Sequence, residues 1–139
     1  MKNKRILTTH DAVQIAAACR DKAEKAGRLA TIAVVDDAGN LLYLERPETM
    51  TMLSIEASIM KARTASLYAR ATSLMEQRVK DRPAFLAMPG LLAVPGGVPL
   101  FEGETCIGGV AAGGAEKDDE TIAQAGADFF QSRLVGAGG

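Results

Sequence analysis

Residues 107–114 read Ile-Gly-Gly-Val-Ala-Ala-Gly-Gly and predict a strand with very few side-chain atoms. Glycine lacks a Cβ, so this strand allows another backbone or a flat ligand to approach closely. Glycine also weakens a strand, and a compensating contact is therefore expected. Two kinds of contact could compensate. One is tight packing of the helix that follows on the sheet, and the other is a ligand bound beside Gly108 and Gly109.

The sequence around this strand predicts a hairpin and a final helix. Residues 102–104 form a tight turn after a strand that contains Pro99, and proline favours the edge of a sheet. Downstream, Asp118 or Asp119 is expected to cap a helix that runs to about Leu134. The C-terminal half is therefore predicted to be a β-hairpin followed by a helix.

The N-terminal half predicts a helix and another hairpin. Thr8 and Asp11 suit the capping box of a helix that stops at Gly27. Apolar runs with β-branched residues flank a turn at residues 36–40 and predict the two strands of a hairpin.

Two helices are predicted between the hairpins. The first begins at Thr51 or Ser54, and the second begins near Thr72 or Ser73, where Ser73 would form a capping box with Glu76. The order of elements is helix, hairpin, two helices, hairpin, helix. This order indicates an α+β fold, an antiparallel sheet flanked by helices.

Composition limits the classes of protein to which the chain can belong. Its 139 residues suit one domain, residues 1–139, and its formal net charge of −1 without a basic stripe argues against nucleic acid as a partner. No apolar run approaches the roughly 20 residues that span a bilayer, so no membrane partner is expected. The basic start is followed only by Ile6 and Leu7, too short for a signal-peptide core, and a cytoplasmic location is expected. Cys19 and Cys106 form no Cys-x-x-Cys motif and are expected to be free thiols.

His10 is the only histidine of the chain. A lone histidine can serve as an axial haem ligand or as a proton shuttle. It is equally an ordinary polar residue in the first turn of a helix. A single histidine excludes a multi-histidine metal site within one chain.

Four further residues are candidates for ligand binding or proton transfer. Lys61 and Arg63 lie near the middle of a predicted helix and could clamp a carboxylate or a haem propionate, although residues two apart do not share a face. The alternative is a solvated helix face. Asp36 and Glu56 could move protons in an enzyme, although Asp is also a common turn residue.

Four motifs together resemble the GlcG/HbpS-like family, which includes the C-terminal domain of PduO-type proteins. They are VVDDAGNL at 34–41, MKARTA at 60–65, GGVPL at 96–100 and IGGV at 107–110. The resemblance implies a profilin-like α+β fold and a homo-oligomer, built from dimers and often octameric. It also implies haem binding in some members and haem degradation in one branch.

The resemblance also bears on individual residues. In PduO-like members a histidine of the N-terminal helix is associated with haem, and His10 occupies a similar place. For members from catabolic operons, the resemblance implies action on small organic acids instead. The chain departs from the common family pattern at Ala112-Gly113, where a Ser-Gly pair is usual.

Three functions remain open on the sequence. The first is a binding protein for haem or another planar ligand, such as a sensor or carrier, with His10 as axial ligand. The second is a cofactor-free enzyme of small-acid catabolism, in which Asp36 or Glu56 moves protons and Lys61 or Arg63 orients a carboxylate. The third is an accessory structural oligomer without a ligand.

Overall fold

The computed structural model of the chain describes residues 3–138. The helices are α1 (Thr9–Lys25), α2 (Leu53–Tyr68), α3 (Thr72–Asp81) and α4 (Asp119–Gly138). The strands are β1 (Thr31–Asp36), β2 (Leu41–Glu45), β3 (Gly97–Glu102) and β4 (Thr105–Gly113). Short 3₁₀ turns lie at Pro83–Ala87 and Glu116–Asp118. The α+β fold and the order of elements are confirmed.

The four strands form one antiparallel sheet in the order β2-β1-β4-β3. The two hairpins meet through their inner strands, where Val34 of β1 pairs with Val110 of β4. Strand β3 is an edge strand, as Pro99 predicts, because proline has no N–H to donate to a second neighbour. Within residues 3–138, no helix is both long and apolar enough to span a membrane.

The sheet lies between two layers of helix. Val34 and Val110 belong to a buried cluster with α1 and α4 on one face. Their neighbours Ala33 and Ala111 belong to a second cluster with Ala62 of α2 on the other face. Successive residues of a strand point to opposite faces, so both faces of β1 and β4 are covered and nearly every residue of these strands is buried.

The predicted capping box of α1 is confirmed. Helix α3 begins at Thr72 as predicted, but its predicted capping box of Ser73 and Glu76 is wrong. The Thr8 hydroxyl accepts from the N–H of Asp11, and the Asp11 carboxylate accepts from the N–H of Thr8, which completes a capping box. In α3 the residue before the helix is Ala71, which gives no side-chain cap. Ser73 instead donates its hydroxyl to Glu120 of α4, a partner that its local sequence does not reveal.

Helix α2 packs on the sheet through backbone contact with a row of glycines. At each of these positions a Cβ would overlap an atom of α2. The row and the atoms beside it are Gly97 against the carbonyl of Lys61, Gly109 against the carbonyl of Ala62, and Gly113 against the hydroxyl of Ser58. From the sequence, the helix that follows β4 was expected to pack against its glycines. That expectation is wrong for this face of the strand, which the earlier helix α2 covers.

Candidate functional site

His10 lies in the first turn of α1 with its imidazole exposed. Its Nε2 atom is 3.1 Å from Nε2 of Gln14, one turn along the helix. The Gln14 amide oxygen accepts a 2.7 Å hydrogen bond from Nη1 of Arg133 in α4. Because arginine only donates, this bond turns the NH₂ group of Gln14 toward His10. Nε2 of His10 is then the acceptor, and the ring hydrogen lies on Nδ1.

A small cleft of about 60 Å³ is lined in part by Gln14 and Arg133, and we call it the His10 cleft because Gln14 is the hydrogen-bond partner of His10, although His10 itself is not one of its walls. Its walls are partly aromatic and partly charged, and they comprise Arg5, Asp11, Gln14, Phe129, Phe130, Arg133 and Leu134. The guanidinium carbon of Arg133 lies 5.7 Å from the centre of the Phe129 ring, a cation–π contact. The cleft is smaller than the roughly 300–1,000 Å³ of typical small-molecule pockets. A large planar ligand would therefore rest across its rim.

Lys61 is buried, and its side chain passes the start of β3. Its Nζ atom lies 3.2 Å from Oδ2 of Asp119 and 3.3 Å from the carbonyl oxygen of Pro95. Its side chain is 4% exposed and that of Asp119 is 7% exposed. The Asp119 carboxylate also accepts from the N–H of Ala115. The carboxylate that Lys61 holds is thus one of the chain's own, and the ammonium group does not face solvent.

Arg63 lies on the outer side of α2 and is exposed. Its side chain runs along Gly39 in the turn between β1 and β2. The two basic residues point in different directions, as their spacing of two predicts. Arg63 and His10 also lie on opposite faces of the sheet, because α2 covers one face and α1 covers the other. One ligand would not contact both within a single chain.

The two candidate acids are far apart. Asp36 forms the turn between β1 and β2, where its Oδ1 atom accepts from the N–H groups of Ala38 and Asn40. Glu56 is exposed near the start of α2, whereas Ser66, near its end, donates to the carbonyl of Asp36. Ten residues of helix separate Glu56 from Ser66, which is about 15 Å. The structure does not bring Asp36 and Glu56 into one site.

Gly108 and Gly109 are both buried and face opposite sides of the sheet. A Cβ at Gly109 would overlap α2, and a Cβ at Gly108 would overlap the Val35 carbonyl and the Leu7 side chain. The space beside both glycines is therefore filled by the chain itself. The absence of side chains here serves close packing within the protomer.

A second cavity, of about 260 Å³, lies at the C-terminal end of α1, and we call it the arginine cavity. Arg20, Arg28 and Arg46 line it together with apolar side chains that include Leu29 and Pro47. Each guanidinium has a partner: Glu45 for Arg20, Asp118 for Arg28, and the Met50 carbonyl, at 2.7 Å, for Arg46. Glu45 raises the pKa of Arg20 by hydrogen bonding and by its charge. No sequence motif pointed to this cavity.

Both cysteines are free, as predicted. Cys19 is fully buried, and burial raises the pKa of its thiol to about 12. Cys106 is partly buried, and burial raises its pKa as well. Because the thiolate is the nucleophile, neither environment favours a reactive cysteine. Among the described residues, no three of His, Cys, Asp and Glu converge as metal ligands.

Sequence reasoning named His10 as a candidate ligand but did not predict the side chains near it. Gln14 was within reach of such reasoning, because residues four apart on a helix are neighbours. Arg133 was not, because 119 residues separate it from Gln14. Arg5 and Phe129 likewise join the cleft only when the N-terminal segment packs on α4.

A model of the family described as haem degrading protein HbpS-like matches residues 7–128. The chain belongs to the HbpS-like family. The match covers both hairpins and all four helices up to the middle of α4, and it confirms the resemblance that the sequence motifs gave.

Individual relatives agree with this family. Protein GlcG of Escherichia coli K12 is 40% identical over 111 residues, which are 79% of this chain and 83% of GlcG. The crystal structure of HbpS is 34% identical, with a TM-score of 0.86 and 93% of each chain covered. The crystal structure of a PduOC–heme complex is 25% identical, with a TM-score of 0.80, and the match covers 89% of this chain and 94% of that one.

Proposed function

We propose that this protein binds haem across the His10 cleft and serves as a haem sensor or carrier. The observation that carries the proposal is that the only histidine of the chain presents an acceptor nitrogen at the surface. A neutral imidazole nitrogen with an available lone pair is the atom that ligates haem iron. Its present partner is the amide of Gln14, which can rotate away.

The residues that line the His10 cleft suit the rest of a haem. Phe129 and Leu134 offer apolar surface for the porphyrin. Arg5 and Arg133 offer guanidinium groups, which pair with carboxylates such as propionates. Bound haem would supply an iron centre, while His10 would hold that iron as the axial ligand. These arginines take the role that the sequence had suggested for Lys61 or Arg63.

The proteins to which this chain is similar also support haem binding. The matching family is described by haem degradation, and one structural relative was solved as a complex with heme. The small volume of the His10 cleft also suits a ligand that a second subunit covers. We therefore propose a homo-oligomer, either a dimer or an octamer built from dimers. The free thiols suit a reducing compartment, and we propose that the protein acts in the cytoplasm.

Hemin titration tests the proposal. We expect the wild type to give a shifted and sharpened Soret band with saturable binding. His10→Ala should lose that band and bind at least tenfold more weakly, and Arg133→Ala should weaken binding less. Gln131→Ala, an exposed substitution nearby on α4, is the control. An unchanged Soret band and affinity in His10→Ala would rule out His10 as the ligand.

The arginine cavity favours a second function, the binding of a small organic acid. Three arginines, two glutamates (Glu24 and Glu45) and apolar side chains border this space. Guanidinium groups beside apolar surface are the combination that recognises a carboxylate on a short carbon chain. A thermal-shift screen with C2 to C6 carboxylic acids tests it. A stabilising acid should lose its effect in Arg46→Ala and keep it in Arg63→Ala, which lies on α2. If Arg63→Ala alone abolishes the shift, the acid binds at α2 instead.

A further inference from the structure

The outer side of α2 carries a regular stripe of exposed side chains. The stripe follows the spacing of three and four residues that places side chains on one side of a helix. It comprises Leu53, Glu56, Met60, Arg63 and Leu67, all of them exposed. Leu53 is 75% exposed, Met60 38% and Leu67 48%. Three apolar residues therefore alternate with one acid and one base along about 21 Å of helix.

The stripe is symmetric about Met60 in its apolar residues and antisymmetric in its charges. Leu53 and Leu67 lie seven residues on either side of Met60. Glu56 lies four residues before it, and Arg63 lies three residues after it. The order along the helix is apolar, acid, apolar, base, apolar. A surface of this kind is complementary to itself when it is turned through 180°.

We propose that α2 pairs antiparallel with α2 of a second copy of this chain, about a two-fold axis that passes next to Met60. Met60 then meets its own counterpart, and Leu53 of one subunit packs against Leu67 of the other. Glu56 of one subunit faces Arg63 of the other, twice in each dimer. The inference rests on the proposed homo-oligomer and is independent of haem binding.

The charges select this arrangement over a parallel one. Parallel packing in register would place Glu56 against Glu56 and Arg63 against Arg63, and like charges in contact destabilise an interface. Antiparallel packing replaces both repulsions with attractions. The apolar residues supply the buried area, and the two ion pairs set the orientation.

Cysteine cross-linking locates the axis whatever the size of the full assembly. In a Cys106→Ser background, Met60→Cys should form a covalent dimer with a short bismaleimide, because packed helices lie about 8–10 Å apart. Leu53→Cys should not cross-link to itself, since its two copies would be about 21 Å apart along the helix axes. A mixture of Leu53→Cys and Leu67→Cys should cross-link. Self-linking of Leu53→Cys that matches Met60→Cys would contradict the antiparallel pairing.

Charge reversal tests the polar part of the interface. Glu56→Arg and Arg63→Glu should each raise the dissociation constant of the dimer by about tenfold or more, because each replaces attraction with repulsion twice. The double variant Glu56→Arg/Arg63→Glu should recover to within about threefold of the wild type. Failure of the double variant to recover would overturn the pairing of these two residues.

A charged substitution at the apolar centre of the stripe completes the test. Met60→Glu should disrupt the dimer, because it places two carboxylates at the axis, whereas Leu74→Glu should not. Leu74 is 56% exposed on α3 and lies outside the stripe. If the wild type is monomeric at all concentrations, the proposed oligomer fails together with this interface. If it is oligomeric and unaffected by Met60→Glu, only the α2 interface fails.

Discussion

Lys61 and Asp119 form a buried ion pair, with 3.2 Å between Nζ and Oδ2, that joins the two helical layers around the start of β3. Lys61 comes from α2 on one face of the sheet, and Asp119 begins α4 on the other. Gly96 makes room for this contact, because a Cβ there would overlap Nζ of Lys61, and its φ of +130° also favours glycine. The ion pair is thus part of what holds the layers together.

Removing the lysine should destabilise the protein strongly. Lys61→Met would leave the Asp119 carboxylate buried with only the Ala115 N–H as a partner, and we expect a loss of about 3–5 kcal/mol of unfolding free energy. Lys22→Met, at an exposed lysine of α1, is the matched control, and it should change stability by no more than about 0.5 kcal/mol. Urea unfolding of both variants measures the difference. A loss below about 1 kcal/mol for Lys61→Met would show that the pair contributes little.

The glycine row should tolerate no side chain. In Gly109→Ala the new methyl group would overlap the Ala62 carbonyl and push α2 away from the sheet, at a cost of about 3 kcal/mol. Gly103→Ala is the control: nothing lies within 4 Å of its Cβ, and its φ of +60° should cost only about 1 kcal/mol. Thermal unfolding compares the two. Equal losses would indicate that backbone conformation, and not the approach of α2, explains the glycine.

Cys19 should make stability depend on pH in the alkaline range. Burial raises the pKa of its thiol from an ordinary value of 9.0 to about 12 in the folded protein. Above pH 9 the unfolded chain loses this proton while the folded chain keeps it, so the unfolding free energy falls by about 1.4 kcal/mol per pH unit up to about pH 12. Below pH 9 the thiol should contribute no slope.

The variant Cys19→Ala isolates this effect from other groups that titrate at alkaline pH. Its unfolding free energy should fall less steeply than that of the wild type between pH 9 and pH 11. Cys106→Ala should keep more of the wild-type slope, because its thiol is only partly buried. Identical slopes in wild type and Cys19→Ala would contradict the burial of Cys19 in the folded state.

Gln14 should determine the tautomer of His10. In the wild type we expect the hydrogen on Nδ1, and ¹⁵N chemical shifts of the neutral imidazole report it. Gln14→Glu replaces a donor with an acceptor, so the hydrogen should move to Nε2. Arg133→Ala should give a mixture, because it frees the amide to turn. The same tautomer in all three proteins would mean that solution water, and not Gln14, sets the state of His10.

Short-range patterns predict the order of helices and strands correctly. The capping box of Thr8 and Asp11 and the turn of Asp36 are each formed by residues within four positions of one another. Patterns this short predict the structure correctly because the interacting residues are neighbours in the chain in any fold. Ser73 shows the limit: its local partner Glu76 loses to Glu120, which lies 47 residues away.

The sequence by itself determined the fold class, the edge position of β3 and the single histidine, because each follows from composition or from short spacings. The family was indicated by the resemblance of four motifs. Only the tertiary structure decided that α2 fills the space beside the glycines, that Lys61 is paired with Asp119, and that Arg133 reaches Gln14 beside His10. These contacts join residues 36 to 119 positions apart. Each of these residues has many chemically suitable partners in the chain. The packing of the layers decides which partner it meets, and no local sequence pattern encodes this packing.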